Sequence, residues 1–210
     1  MNIILTTTVY PQDKCYLHQT DPEERLQNYL KSIKQWLNSP FKITVVENSG
    51  YTFPEFEKCL YDVNRFEILT FNESILPEAK YLIGNNSKGA SELFSINYSF
   101  KHSKILTPGD FIIKVTGRYF IPDFEKCLLN LNFFDAIIQN DRSSCEIIGC
   151  SFAQKEFVFN TSDLLNGSPC NHIEFLYKSR IQLLNKVLIL KKLSISPTSM
   201  GGANIIRNSL

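Results

Sequence analysis

The sequence predicts an α/β fold in which a mostly parallel β-sheet is covered by helices on both faces. Two observations indicate this class. Short β-branched and apolar segments alternate with segments whose apolar residues recur at helical spacing, and strong turn residues separate them. Strand-rich sequence after residue 119 predicts an antiparallel addition to the sheet. A chain of 210 residues can bury one sizeable core, so we expect a single domain over residues 1–193 and a flexible tail or linker over 194–210.

The first helix shows how each element is assigned. Asp21 is predicted to cap the helix, and Pro22 to occupy its first position. Glu23 and Glu24 follow in the first turn, where the helix dipole favours acids. Apolar residues then recur at helical spacing as far as Leu37. The same reasoning predicts further helices over 54–63, 87–102, 122–129 and 171–184, strands over 3–9, 41–46, 66–71, 111–115, 134–139, 146–150 and 187–190, and a strand or hairpin over 152–159.

Charge and composition disfavour several classes of protein. Lys and Arg number 22 against 21 Asp and Glu, and the basic residues are interspersed with acids, which disfavours nucleic-acid binding. Charged residues interrupt every long apolar stretch before it reaches the roughly 18 residues that a membrane span requires. The first residues lack the basic start of a secretory signal. We therefore expect no membrane span and a cytoplasmic location.

Several motifs of known chemistry are missing from the sequence. The six cysteines have scattered spacings without a Cys-x-x-Cys pair, so we expect reduced and mostly buried thiols. A Ser/His/Asp signature, a phosphate-binding P-loop and a Gly-x-Gly-x-x-Gly motif are also absent from the sequence. Their absence disfavours serine hydrolases, P-loop enzymes and dinucleotide-dependent dehydrogenases.

Polar residues collect where predicted strands end and where the longest predicted helix begins. In a parallel sheet such ends face one crevice, where ligands bind. A nucleotide diphosphate needs hydrogen-bonding groups for its base and ribose, and cations and backbone amides for its phosphates. Four clusters together supply these groups, and their combination is more informative than any single cluster. The clusters are 6–8, 47–49, 85–89 and 116–118.

Two cations are candidates for an anionic ligand. Lys88 precedes Gly89 at the start of a predicted helix, where free amides attract anions. The alternative is a solvated lysine at a helix end. Arg118 follows Gly117, which lets a ligand approach the backbone, and arginine donates a bidentate fork to phosphate or carboxylate. The alternative for Arg118 is a structural salt bridge.

Two acids are candidates for binding or catalysis. Glu47 ends an apolar strand, where it could accept a hydrogen bond from the imide of a uracil-type base or could simply form a turn. Glu174 lies in the first turn of a late helix, where it could act as a general base or could complement the helix dipole. Asp141 and Asp163 are the second choices for the base, and His172 is a candidate metal or phosphate partner by position alone.

The four segments IILTTT, VVENSGY, SKGASE and FIIKVTGRY, in this order and spacing, resemble the nucleotide-sugar glycosyltransferases of the GT-A type. The resemblance covers most of the chain and extends to the glycosyltransferase domains of chlorella-virus multidomain proteins that build the glycan of the major capsid protein. It implies a GT-A-like, Rossmann-like sheet. It also implies a UDP-sugar donor of the hexose or deoxyhexose class, a glycan acceptor, and further domains beyond residue 210.

The resemblance also implies roles for individual residues. The nucleoside would contact Thr6, Thr7, Thr8, Glu47 and Asn48, and the donor phosphates or sugar would contact Lys88. Thr116 and Gly117 complete the substrate-binding set, and Arg118 and Glu174 are the candidate catalytic residues.

A Mn²⁺ or Mg²⁺ ion is implied as cofactor, yet the chain has Thr-Gly-Arg over 116–118, where GT-A enzymes commonly carry the metal-binding Asp-x-Asp. Arg118 could supply the charge of the ion, or a cation could bind through phosphate oxygens and water. Two other functions stay open: a non-catalytic nucleotide- or glycan-binding module, and a nucleotidyltransferase.

Overall fold

The computed structural model contains a seven-stranded sheet in the order β3-β2-β1-β4-β6-β5-β7 and a separate two-stranded sheet of β8 and β9. The strands are β1 (Asn2–Thr7), β2 (Lys42–Glu47), β3 (Phe66–Thr70), β4 (Phe111–Thr116), β5 (Ala136–Gln139), β6 (Ile147–Ser151), β7 (Val187–Leu190), β8 (Ser194–Ser199) and β9 (Ile206–Ser209). The structure describes residues 1–12, 14, 17–61, 64–139, 145–162, 173–200, 203 and 205–210.

Helices cover both faces of the large sheet. The α-helices are α1 (Pro22–Leu37), α2 (Lys88–His102), α3 (Phe124–Cys127), α4 (Lys155–Val158) and α5 (Ile173–Ile181), and 3₁₀ helices span Pro54–Tyr61, Pro77–Leu82, Leu131–Phe133 and Phe152–Gln154. β1 pairs in parallel with β2 and β4, and β6 pairs antiparallel with β4 and β5. The predicted parallel α/β sheet with an antiparallel addition is therefore confirmed.

The core forms two layers, one on each face of the sheet, because side chains along a strand point alternately to its two faces. Ile3 and Leu5 of β1 pack into the layer that holds Trp36 of α1. Ile4 packs into the opposite layer, together with Leu93 of α2. This burial on both faces explains why the apolar residues of β1, Ile3 to Leu5, are consecutive in the sequence and do not alternate with polar ones.

The capping signal of α1 is confirmed, since the Asp21 side chain accepts a hydrogen bond of 2.9 Å from the Glu23 backbone amide. The predicted strand or hairpin over 152–159 is wrong. That segment forms a 3₁₀ turn followed by α4. Val158 and Phe159 are adjacent and both fully buried, a pattern that a helical turn permits and that a strand with one buried face does not.

The last described residues form a hairpin, an element that the sequence does not predict. β8 pairs antiparallel with β9, and Ile195 and Leu210 are buried in the same core layer as Trp36. The low apolar density of the segment concealed these contacts, because few apolar residues carry them. Whether residues 1–193 form a domain by themselves stays a prediction.

Two further observations bear on the sequence analysis. The cysteines within the described residues are free, with Cys145 and Cys150 buried and Cys59 exposed. Burial raises the pKa of the Cys145 thiol to about 12, which makes it unreactive at neutral pH. No helix of the described residues is long and apolar enough to cross a membrane.

We expect Ile195→Ala to lower the free energy of unfolding by about 2–4 kcal/mol, because it removes a buried side chain from the core and leaves a cavity. Ile206→Ala in the same hairpin is the matched control. Ile206 is 71% exposed, so its replacement should change stability by less than about 0.5 kcal/mol. Urea unfolding of both variants measures the difference, and equal small effects would show that the hairpin does not contribute to the core.

Candidate functional site

A cavity of about 260 Å³ opens where the carboxyl ends of β1 and β4 meet the start of α2. The parallel register sets Thr6 beside Thr116, so the residues that follow the two strands emerge together. Eight of the residues predicted for the site line this one cavity: Thr6, Thr7, Thr8, Asn48, Lys88, Thr116, Arg118 and Glu174. The structure thus brings together positions that are far apart in the sequence. Their individual roles stay predictions.

Glu47 does not line the cavity, which corrects its assignment to the nucleoside. Its side chain is fully buried. One carboxylate oxygen accepts from the Val9 backbone amide and the Ser49 hydroxyl, and the other accepts from the backbone amides of Ser49 and Tyr51. Burial raises the pKa of Glu47, while these hydrogen bonds oppose the rise. Glu47 therefore holds the loops after β1 and β2 in position.

Gly117 packs against the end of β1 and is not among the residues that line the cavity. Its backbone amide donates to the Thr6 carbonyl at 2.9 Å. A β-carbon at this position would lie 2.5 Å from Thr7 Cγ2 and 2.7 Å from the Thr6 oxygen. The glycine thus lets the chain after β4 lie directly against β1, and this contact fixes the position of the Arg118 backbone.

Arg118 presents a guanidinium group to the cavity wall. Its Nε is buried and has no hydrogen-bond partner among the described residues. Burial first, and then the charge of Arg118, lowers the pKa of Lys88, so the two cations are close enough to repel one another. An unpartnered buried donor and two converging positive charges favour an anionic ligand at this point.

Arg25 and Tyr29 of α1 also line the cavity, and sequence reasoning missed both. Arg25 donates to the Thr8 carbonyl at 2.6 Å, to the Gln19 carbonyl at 3.0 Å and to the Tyr29 hydroxyl at 3.0 Å. Burial is the main cause that lowers the pKa of Arg25, and the charge of Arg118 lowers it further. Arg25 therefore anchors the loop after β1 and adds positive charge behind Arg118.

A hydrogen-bonded chain of polar side chains forms another wall. The Thr8 hydroxyl donates to Asn48 Oδ1 at 2.6 Å, and Asn48 Nδ2 donates to Glu73 Oε2 at 2.9 Å. Glu73 Oε1 accepts from Lys14 Nζ at 2.9 Å and from the Ser91 hydroxyl at 2.8 Å. These contacts fix the predicted residues Thr8 and Asn48 in one orientation. Lys14 and Glu73 could not be found from the sequence, because these contacts join distant loops.

A buried ion pair of Lys114 in β4 with Glu92 in α2 forms the floor of the cavity. Lys114 is 1% exposed, and its Nζ lies 2.8 Å from Glu92 Oε2. It also donates to the Cys145 carbonyl at 3.1 Å and to the Thr116 hydroxyl at 3.2 Å. Burial opposes the charge of Lys114, but the carboxylate of Glu92 outweighs burial and raises the pKa of Lys114. A lysine inside an otherwise apolar strand was the available sequence signal for this pair.

Four carboxylates line the cavity: Glu73, Glu92, Glu146 and Glu174. Burial raises the pKa of Glu92, and the charges of Glu146 and Glu174 raise it further, whereas Lys114 opposes the rise. Glu174 lies in the first turn of α5, as predicted. The other candidates Asp141, Asp163 and His172 lie outside the described residues.

Among the described residues, those around the cavity do not fit a divalent metal ion. Within the part of the chain that the structure describes, no group of three or more His, Cys, Asp or Glu side chains could hold one. After β4, the Thr116 hydroxyl already accepts from Lys114, Gly117 has no side chain, and Arg118 is a cation. Mn²⁺ and Mg²⁺ require several oxygen ligands, and carboxylates are the strongest of these in proteins.

No protein-family model and no curated protein sequence matches the chain. The fold is similar to the galactosyltransferase LgtC in complex with donor and acceptor sugar analogues, at 7% identity and a TM-score of 0.52, over 90% of this chain and 73% of that chain. The fold is also similar to that of an active-site mutant of LgtC, at 8% identity and a TM-score of 0.52, over 90% of this chain and 72% of that chain. A presumed nucleotide-diphospho-sugar transferase from Desulfovibrio desulfuricans G20 matches at 16% identity and a TM-score of 0.48, over 90% of this chain and 79% of that chain. The predicted GT-A type of fold is confirmed.

We expect Lys114→Met to lower the free energy of unfolding by about 3–5 kcal/mol near pH 7, because it leaves the partly buried Glu92 carboxylate without its cation. Without Lys114, burial raises the folded-state pKa of Glu92 above the unfolded value. Protonation then relieves the loss, so the variant should lose stability as the pH rises. Urea unfolding at pH 5 and pH 8 measures this dependence.

The double variant Lys114→Met/Glu92→Leu is the control for this prediction. It removes both charges, so it should recover at least half of the stability that the single variant loses. A double variant as unstable as Lys114→Met, with the same pH dependence, would contradict an ion pair as the cause.

Proposed function

We propose that this chain is a glycosyltransferase that moves a hexose or deoxyhexose from a UDP-sugar to a hydroxyl group of a glycan. The single observation that carries the proposal is the cavity at the strand ends of a GT-A sheet, which Arg118 and Lys88 line together with carboxylates such as Glu174. A nucleotide sugar needs cations for its diphosphate and a proton acceptor for the incoming hydroxyl.

The resemblance of the sequence to chlorella-virus domains extends the proposal to the glycan of a viral capsid protein as acceptor. The proposed location is the cytoplasm of the infected cell, and further domains beyond residue 210 belong to the same proposal.

The donor is proposed to bind with its nucleoside near β1 and its diphosphate near α2. Thr6, Thr8 and Asn48 offer hydroxyl and amide groups on the nucleoside side of the cavity. Thr8 and Asn48 hold each other in place, so little side-chain entropy would be lost when a nucleoside contacts them. Arg118 and Lys88 would contact the diphosphate, and the charge of Arg25 would strengthen that binding.

Transfer breaks the bond between the anomeric carbon and the diphosphate oxygen, and UDP leaves with the bonding electrons. Negative charge grows on that oxygen in the transition state, so a fixed guanidinium stabilises the transition state more than the bound donor. We assign this role to Arg118. The hydroxyl oxygen of the acceptor forms the new bond to the anomeric carbon. For a transfer with inversion, Glu174 is the proposed base that accepts the hydroxyl proton.

We expect UDP to raise the melting temperature of the protein more than ADP or GDP does. At about 100 times its dissociation constant, a ligand stabilises the folded state by about 2.7 kcal/mol, which corresponds to about 5–10 °C for a protein of this size. A thermal-shift series with the three nucleotides measures this selectivity. Equal shifts with all three would argue against a uridine site.

We expect Arg118→Ala to lower the turnover of the UDP-sugar by at least about 100-fold, because it removes a donor that faces the developing charge. Lys126→Ala is the control, since Lys126 is 70% exposed and pairs only with the surface residue Asp123. Product analysis with and without a glycan acceptor measures transfer and slow donor hydrolysis separately. A folded Arg118→Ala variant with full turnover would remove Arg118 from the mechanism.

If neither transfer nor hydrolysis occurs although UDP binds, the chain is a nucleotide-binding module and the catalytic part of the proposal fails.

A further inference from the structure

We infer that protein cations, chiefly Arg118, bind the donor diphosphate in the place that a divalent metal ion holds in GT-A enzymes with Asp-x-Asp. The inference rests on the proposed function and adds that donor binding does not require Mn²⁺ or Mg²⁺. It follows from the chemical groups that surround the cavity.

The three residues at the end of β4, Thr116 to Arg118, carry no anionic ligand for a metal. The Thr116 hydroxyl accepts from Lys114 Nζ at 3.2 Å, so it already contacts a positive charge. Gly117 lies against β1 and has no room for any side chain. Arg118, the third residue, repels a dication. A metal ion at this point would therefore find two cations where it needs carboxylates.

Three of the four acidic residues that line the cavity each pair with a cation of the protein. Glu73 accepts from Lys14 at 2.9 Å, and Glu92 pairs with Lys114 at 2.8 Å. Glu146 lies 3.6 Å from an Arg207 nitrogen. To ligate a metal, these carboxylates would have to give up partners that stabilise them in a buried position.

Glu174 is the remaining acid that lines the cavity. Burial and the charge of Arg118 lower the pKa of Lys88, and the charges of Glu146 and Glu174 oppose this in part, so Glu174 lies near Lys88. One carboxylate beside a lysine supplies fewer ligands than Mn²⁺ or Mg²⁺ takes from proteins. Among the described residues the acids of the cavity therefore do not form a metal site.

The positive charge that remains for a ligand comes chiefly from Arg118. Arg118 lines the cavity, where burial opposes its charge and the charge of Glu146 and a hydrogen bond with Tyr29 favour it. Its buried Nε has no hydrogen-bond partner among the described residues, so the protein satisfies the guanidinium group only in part, and the group can still bind a phosphate oxygen from the cavity. Arg25 uses a donor on each of its three side-chain nitrogens for a protein oxygen, so fewer of its donors than those of Arg118 remain for a ligand, and its main contribution is charge. Arg118 is thus the group best placed to contact the diphosphate directly.

The test measures the binding of UDP by isothermal titration calorimetry in EDTA, in Mn²⁺ and in Mg²⁺, with the full chain. We expect the dissociation constants in the three buffers to agree within about threefold. A dissociation constant more than tenfold weaker in EDTA would overturn the inference.

Variants at Arg118 test which group carries the binding. Arg118→Gln should weaken UDP binding at least tenfold in EDTA, and Mn²⁺ should not restore it. Arg118→Lys keeps the charge and should bind UDP more tightly than Arg118→Gln, and it serves as the second variant if Arg118→Gln fails to fold. Lys126→Gln is the matched surface control and should bind like the unaltered chain. Unchanged UDP binding by folded Arg118→Gln would overturn the role of Arg118.

The outcomes separate this inference from the proposed function. Absence of UDP binding in all three buffers would refute the proposed function, and the inference with it. Binding that requires Mn²⁺ or Mg²⁺ would refute only the inference. The uridine site would then exist, and the metal ion would be held by residues other than those considered above.

Discussion

The site depends on the parallel pairing of β1 with both of its neighbours. Thr6 lies beside Val46 on one side and beside Thr116 on the other, so three loops leave the sheet at the same edge. Gly117 lets the chain after β4 lie against the end of β1, and the buried carboxylate of Glu47 ties the loops after β1 and β2 together through backbone amides. Every other feature of the cavity is built on this arrangement.

The cavity is electrostatically asymmetric because ion pairs largely neutralise its acids, whereas the charge of Arg118 is balanced only in part, by the charge of Glu146 and a hydrogen bond with Tyr29. The Lys114 and Glu92 pair neutralises the floor, and Lys14 with Glu73 neutralises a wall. Arg118 lines the cavity, and its buried Nε has no hydrogen-bond partner among the described residues. Charge of this kind costs desolvation free energy in the absence of a ligand, which is a common property of sites that bind anions. This asymmetry underlies both the proposed donor site and the inference about the metal.

Much of the fold could be predicted from the sequence, but only part of the site could. The apolar run of β1 and the capping of α1 by Asp21 act locally, so their signals lie within a few neighbouring residues. The hairpin of β8 and β9 escaped prediction, because its few buried residues pack against a distant part of the chain. Glu47 was placed at the right loop and given the wrong role, since the sequence does not reveal which way a side chain at a strand end points.

The sequence by itself determined the order of strands and helices, the parallel class of the sheet, and the edge at which polar residues would collect. These properties follow from hydrophobic period and turn chemistry, which are local. The tertiary structure alone decided that Lys114 and Glu92 would neutralise each other, that Arg25 would anchor a loop, and that Arg118 would keep a donor free. Such pairings depend on which elements the fold brings within hydrogen-bond distance, and spacing along the chain carries no information about that.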